Sequence, residues 1–162
     1  ILTNLFNILN GNQNLNNYNQ DARSFIKRTD EKYDAIFLDA FKGDQIPYEL
    51  TTLQFMYEMK EKLKDNGVVI SNIISIFKGD GNNFFAYEYA TFKKAFDDVI
   101  IYRIDNSMDP DERQNMILIG VKGHFDLNDT YKYIEEDLQN NLVLDYTSDK
   151  TVITDDLFQI EN

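Results

Sequence analysis

No cysteine occurs in the 162 residues, which excludes disulfides, thiolate metal sites and a cysteine nucleophile. Histidine is nearly as scarce. The single copy, His124, follows a strand-like run and Lys122-Gly123. A Ser-His-Asp triad or a histidine-rich metal site would have to be built on it, and its surroundings read as a turn. No segment approaches the roughly 20 consecutive apolar residues that a membrane helix needs. The opening residues carry no signal-peptide pattern, so a cytoplasmic location is the expectation. Positive charge is in short supply: 16 Lys and Arg stand against 28 Asp and Glu, a formal net charge of −12. Such a chain repels nucleic-acid phosphates and anionic lipid headgroups and attracts cations. A nucleic-acid partner is therefore not expected, and plain solubility accounts for most of the excess. Neither G-x-G-x-x-G nor G-x-x-x-x-G-K occurs. Gly79-Asp80-Gly81 is too short for a phosphate cradle and reads as an ordinary loop.

What is present suffices for one domain. Apolar residues make up 43%, with 12 Phe and 10 Tyr, enough for a globular core. Ile1 to Leu9 reads as a helix with Leu2, Leu5, Phe6 and Leu9 on one face, ended by Asn10-Gly11. A weak strand candidate, Leu15 to Asn19, follows. Asp21 caps a short helix, Ala22 to Arg28, with Phe25 and Ile26 turned inward. Tyr33 to Leu38 (YDAIFL) is the clearest strand, apolar almost throughout, as a strand covered on both faces is. Thr51 or Thr52 caps a helix running to about Lys64, stopped by Asn66-Gly67. Val68 to Ile74 is a second buried strand, and a helix runs from about Asn83 to Phe96. Val99 to Ile104 and Met116 to Val121 are further strands. A tail helix, about Asn128 to Asn140, and an irregular end close the chain. Strand–helix–strand alternation with short links predicts an α/β sheet, parallel through the first three strong strands. The last two strands have no helix between them and are expected to form an antiparallel pair at the end of the sheet.

Open α/β sheets bind ligands beyond the carboxyl ends of their strands. That rule points to Asp21, Asp39 to Asp44, Asn72 to Asp80 and Asn106 to Arg113. Asp39 stands out because it closes an apolar strand and opens a loop with Gly43, Asp44 and Pro47. A carboxylate at the rim of a low-dielectric crevice can take a proton or hold a cation, although a turn aspartate has the same pattern. Asp80 and the Asp155-Asp156 pair could converge on the same rim. An all-oxygen cluster would suit magnesium or calcium, but no EF-hand spacing is present and no metal is expected.

From Asp21-Ala22-Arg23 to Asp39-Ala40-Phe41 the pattern resembles the spermidine-synthase-like proteins, in particular a bacterial branch with LDAF-x-x-D-x-IP-x-x-L-T-T. Glu88-Tyr89-Ala90-Thr91-Phe92 is similar to that branch's AEY-x-T-(Y/F) helix. Asp109-Pro110-Asp111-Glu112 with Gln114-Asn115-Met116 resembles its PDE-x-QN strand entry. Thr154-Asp155-Asp156 with Ile160-Glu161 resembles its closing TDD-x-x-x-VE. Together these cover roughly residues 15 to 162, in a consistent order and spacing.

The resemblance implies a Rossmann-like class I S-adenosylmethionine-dependent methyltransferase fold. The family's glycine-rich loop and second-strand acid, which grip the nucleoside, would precede Ile1. The implied domain, residues 1–162, is thus a single spermidine synthase-like domain with its N-terminal strands missing. The implied co-substrate is decarboxylated S-adenosylmethionine, or S-adenosylmethionine itself in methylating relatives, and no metal is implied. By the same resemblance Asp21 and Ala22 lie beside the adenine, and Asp39 is the catalytic base that deprotonates a small-molecule amine. The family's second aspartate, three residues after the first, is replaced here by Lys42. The next acid, Asp44, is then the substrate-holding candidate, and a lysine at 42 argues against putrescine as the acceptor. The resemblance leaves other readings open: a methyltransferase, a partner-binding or dimerising remnant without activity, and a parent protein with a membrane segment upstream. It also implies that YDAIFL has an open edge and that residues 15–19 are irregular or covered by another chain.

Overall fold

A computed structural model of the chain describes residues 16–41, 46–79, 83–124 and 139–156. Its elements begin with helix α1 (Ala22–Arg28) and strand β1 (Tyr33–Leu38). A short 3-10 turn, Tyr48–Leu50, leads into α2 (Leu53–Lys62) and the long strand β2 (Leu63–Ile76). Then come α3 (Phe84–Ala95), β3 (Asp98–Arg103), β4 (Arg113–Val121) and the two-residue β5 (Leu142–Val143).

Each helix starts where a side chain can serve an orphaned backbone N–H. Asp21 accepts from Ser24 N, Thr52 from Phe55 N, and Asn83 from Ala86 N, each cap being worth about 1 kcal/mol. The basic residues Lys60 and Lys62 on α2 and Lys93 and Lys94 on α3 fall in the last turns, where the helix dipole favours positive charge. Helix α2 ends at Lys62, before the expected Lys64, because Leu63 already pairs with Tyr33 of β1. The Asn66-Gly67 stop lies inside β2 as an irregularity, with Asn66 left-handed at φ 61°.

The sheet runs in the order β1-β2-β4-β3-β5. Strands β1 and β2 are parallel; β4 is antiparallel to both β2 and β3. The first three strands therefore share a direction, as expected. The antiparallel pair is not simply added at the end: β4 enters between β2 and β3, and β5 occupies the far edge against β3. The return from β3 to β4 through residues 104–112 and the pairing of β4 with β2 give β4 two partners, which satisfies its backbone groups on both sides.

Helices α2 and α3 cover one face. There Val69, Ser71 and Ile73 of β2 alternate with Met116 and Leu118 of β4 and bury against Phe55, Met59, Phe85 and Phe92. Each fully buried side chain of this size contributes about 1.5–3 kcal/mol. Gly120 is required by packing, since a Cβ there would lie 2.3 Å from the Phe96 ring. The alternate residues of β2, Val68, Ile70, Asn72, Ile74 and Ile76, are half-buried on the other face.

Strand β1 departs from the two-sided burial that its apolar run suggests. Only Leu38 is buried, and Phe37 is 73% exposed. Among the described residues, β1 pairs with β2 alone, so it is an edge strand; Tyr33, Ala35 and Ile36 are half-buried and Asp34 and Phe37 are exposed. Residues Asn16–Asn19 form no strand, in line with the expected irregularity. The expected helices at residues 1–9 and, for the most part, 128–140 lie outside the described residues.

Candidate active-site rim

Asp39 follows the last residue of β1, at the carboxyl end of the parallel pair. The register places Leu38 beside Ser71, so Asp39 comes level with Asn72. The carboxylate is exposed. Asn72 Nδ2 donates to Asp39 Oδ1 at 3.1 Å. Among the described residues no cation pairs with Asp39. It is neither turned to the buried face nor locked in a salt bridge, and its carboxylate stays available to a donor from solution.

A groove of about 280 Å³ runs along the open edge of β1 beneath α1, lined by Ala22, Phe25, Ile26, Ala35, Phe37 and Phe55 among others. The groove and Asp39 adjoin the same strand end. Ala22, exposed at the start of α1, lines the groove; Asp21 stands next to it at the helix N-terminus. Asp21 Oδ1 is 2.7 Å from Ser24 N. This bond to Ser24 holds the Asp21 carboxyl below its ordinary value of 3.8. One oxygen of Asp21 is thus used by the fold, and its exposure leaves the carboxylate open to a ligand donor as well. Asp44, the substrate-holding candidate, and Lys42 lie outside the described residues.

The acidic convergence suggested by the sequence divides. Asp155 does not reach the Asp39 rim. Arg23 of α1 takes it: Nη1 donates to Asp155 Oδ1 at 2.9 Å and Nη2 to Oδ2 at 2.8 Å. The same guanidinium meets Glu58 of α2 through Nε at 3.0 Å and Nη2 at 2.9 Å, and the carbonyl of Glu49 at 3.3 Å. Only 14% of the Arg23 side chain is exposed. Hydrogen bonds from Asp155 first and Glu58 second raise the pKa of Arg23. The Arg23 hydrogen bond holds the Asp155 carboxyl below its ordinary value. This is a forked charge pair on both sides, and it ties α1 and α2 to the closing segment, 132 residues along the chain. Asp80 lies outside the described residues. Among the described residues, no group of three or more His, Cys, Asp or Glu comes together as a metal site. His124 is 94% exposed, 3.4 Å from Asp98 Oδ2, which fits its turn reading.

Two features escaped the residue pattern. Asn72 belonged to the strand-end range but had no sign of its own; only the parallel register shows that it faces Asp39. Glu88 of α3 is fully buried, and neither carboxyl oxygen has a hydrogen-bond partner among the described residues. Burial pushes its pKa well above the ordinary 4.5. A glutamate between Tyr87 and Tyr89 gave no warning of this, because a helix carries both faces in one string of letters.

Comparisons with known proteins bear on the fold and on what the chain is similar to. A family of S-adenosyl-L-methionine-dependent methyltransferases matches residues 3–77. A polyamine aminopropyltransferase of Vibrio vulnificus is 35% identical over 104 residues, 62% of this chain and 31% of that protein. A probable polyamine aminopropyl transferase of Bifidobacterium longum is 31% identical over 62 residues, 38% of this chain and 14% of that protein. The crystal structure of a probable spermidine synthase from Corynebacterium glutamicum aligns with a TM-score of 0.60 at 20% identity, over 76% of this chain and 46% of that one. That last likeness is one of fold, a Rossmann-like α/β sheet. The chain spans less than a third of the length of these two curated relatives. Among the described residues, no helix is long and apolar enough to cross a membrane.

Proposed function

We infer that this spermidine synthase-like chain supplies the acceptor side of the active site of a transferase that moves an aminopropyl group from decarboxylated S-adenosylmethionine to a primary amine. The observation that carries the reading is the exposed carboxylate of Asp39 at the parallel strand ends, beside an apolar groove and in reach of a ligand. We assign to residues 1–162 one domain, which chain beyond them completes in the working enzyme.

The chemistry sets demands that these residues can meet. The sulfonium donor supplies an electrophilic carbon whose bond to sulfur is weakened by the positive charge. An amine attacks only when neutral, so its proton must have an acceptor at the point of attack. The Asp39 carboxylate takes the proton of the bound ammonium; as the N–C bond then forms, the C–S bond breaks, the sulfur keeps the electron pair as a thioether, and the positive charge passes from sulfur to the product nitrogen. A base held in place contributes about 10²–10⁴-fold, and holding amine and donor in line supplies much of the rest. Before attack the same negative charge attracts the cationic amine, and the net charge of −12 favours its approach. Asp21 and Ala22 at the groove mouth are the residues we assign to the adenine edge, and Asp44 to the far end of the amine. The apolar lining of the groove suits a flat ring. Small amines, and not nucleic acid, are the partners of this reading, and the cytoplasm, where such donors and acceptors meet, is the location it calls for.

A second reading, methyl transfer from S-adenosylmethionine, draws on the methyltransferase family that matches residues 3–77; Asp39 would serve it in the same way. Calorimetry on the full-length protein with each of the two sulfonium nucleosides separates the readings by which donor binds. Binding of neither removes both readings and leaves a partner-binding module. Where one binds, Asp39→Asn is expected to abolish turnover while keeping donor affinity within a few-fold; retained turnover takes the base role away from Asp39.

A further inference from the structure

The rim contains a polar atom that the fold leaves unserved. Asn72 gives its amide nitrogen to Asp39, and its Oδ1 is buried with no hydrogen-bond partner among the described residues. Its neighbours on the same face of β2 are Ile70 and Ile74, so an apolar residue would suit the strand at least as well. Leaving a buried acceptor unpaired costs stability, and such groups call for an explanation in function. The orientation supplies one. An ionised carboxylate only accepts hydrogen bonds, and it is the amide donor, not the amide oxygen, that faces it.

We propose that Asn72 is a positioning residue of the amine site: its amide fixes one oxygen of Asp39, so that the other is presented to the proton of the attacking amine. This rests on the reading of Asp39 as the base. Asn72 touches no reacting atom in this assignment; it acts through the direction of the carboxylate. Rotation of Asp39 about its side-chain bonds would otherwise spread the basic oxygen over a range of positions, and small misplacements of reacting groups lower rates steeply. The buried, unpaired Oδ1 is what the fold gives up to hold that direction. Stability and turnover should therefore move in opposite senses when Asn72 is replaced.

The test uses the full-length protein, both sulfonium donors, and a panel of primary amines (putrescine, 1,3-diaminopropane and agmatine). Asn72→Leu keeps the shape and removes the orphaned acceptor. Its thermal midpoint is expected to equal or exceed that of the parent and its donor Kd to stay within about twofold, while kcat falls about 10- to 100-fold. Asn72→Asp sets a second carboxylate against Asp39 and should lower kcat further. Wild-type kcat in Asn72→Leu overturns the assignment. So does a fall in kcat that only accompanies a fall in midpoint, the mark of a merely structural residue. Both results leave the proposed function standing, provided the parent turns over. A parent that transfers to none of the amines removes the proposed function, and the positioning role with it.

Discussion

Two places in this protein hold aspartates that the folded chain treats in opposite ways. At the Arg23 junction every charge is answered: one guanidinium makes four hydrogen bonds to Glu58 and Asp155 and a fifth to the Glu49 carbonyl. At the strand-end rim Asp39 is exposed and receives a hydrogen bond from Asn72, whose oxygen has no partner among the described residues. A saturated cluster has nothing left to offer a ligand and stabilises the fold. An under-served one is poised for a group that comes from outside. Acidic composition alone cannot separate the two, because both are aspartates beside short loops.

Asp39→Asn should separate them most widely: a loss of turnover of about 10³-fold with unfolding free energy changed by no more than about 0.5 kcal/mol, read by donor-dependent assay and urea titration. Arg23→Ala should do the reverse. It takes the forked partner from Asp155 and leaves Glu58 with Lys27 at 3.5 Å, and is expected to cost about 1–2 kcal/mol of stability, since the cluster is partly exposed. Its effect on turnover should follow only from what it does to α1. An Arg23→Ala protein as stable as the parent would show that the junction is not the clamp its geometry describes.

Glu88 offers a third case, a carboxyl that is buried on the helix side of the sheet and unanswered among the described residues. Its raised pKa means that the protonated form is the one the fold accepts. The stability it permits is full below its unfolded value near 4.5 and is lost as pH rises through the higher folded value. Glu88→Leu should therefore stabilise the protein at pH 8 by about 1–3 kcal/mol and flatten the decline of the thermal midpoint that sets in as pH rises above the ordinary 4.5. An unchanged pH profile would place a partner against Glu88. Asp155 works in the opposite sense and more weakly, because it is partly exposed. Its carboxyl is held low by the Arg23 hydrogen bond, so its contribution is present above the unfolded value and disappears as pH falls through the folded one. Asp155→Asn should remove part of the acid limb of the stability profile and leave the rim untouched.

Much of the local structure could be read from the letters. The helix over Ala22–Arg28 and its Asp21 cap have the expected bounds, and α3 lies within a residue of the expected Asn83 to Phe96, because a cap and a 3.6-residue stripe are set by neighbours within one turn. The strand YDAIFL was equally legible, but its burial was not. Strand length and apolar content say that a segment can be covered on both faces; whether it is depends on what lies beside it, and among the described residues β1 is an edge. Asp39 was legible as a strand-end carboxylate, and its partner Asn72, 33 residues away, was not.

The sequence by itself determined the elements, the acidic character and the choice of Asp39, since propensity, capping and charge act between residues close along the chain. Only the tertiary structure decided that β4 would lie between β2 and β3, that Asp155 would belong to Arg23, and that Asn72 would stand against Asp39. Those outcomes depend on strand pairing and on hydrogen bonds between residues far apart in the chain. Such contacts form only where the folded backbone brings the groups within about 3 Å, and no local pattern records that distance.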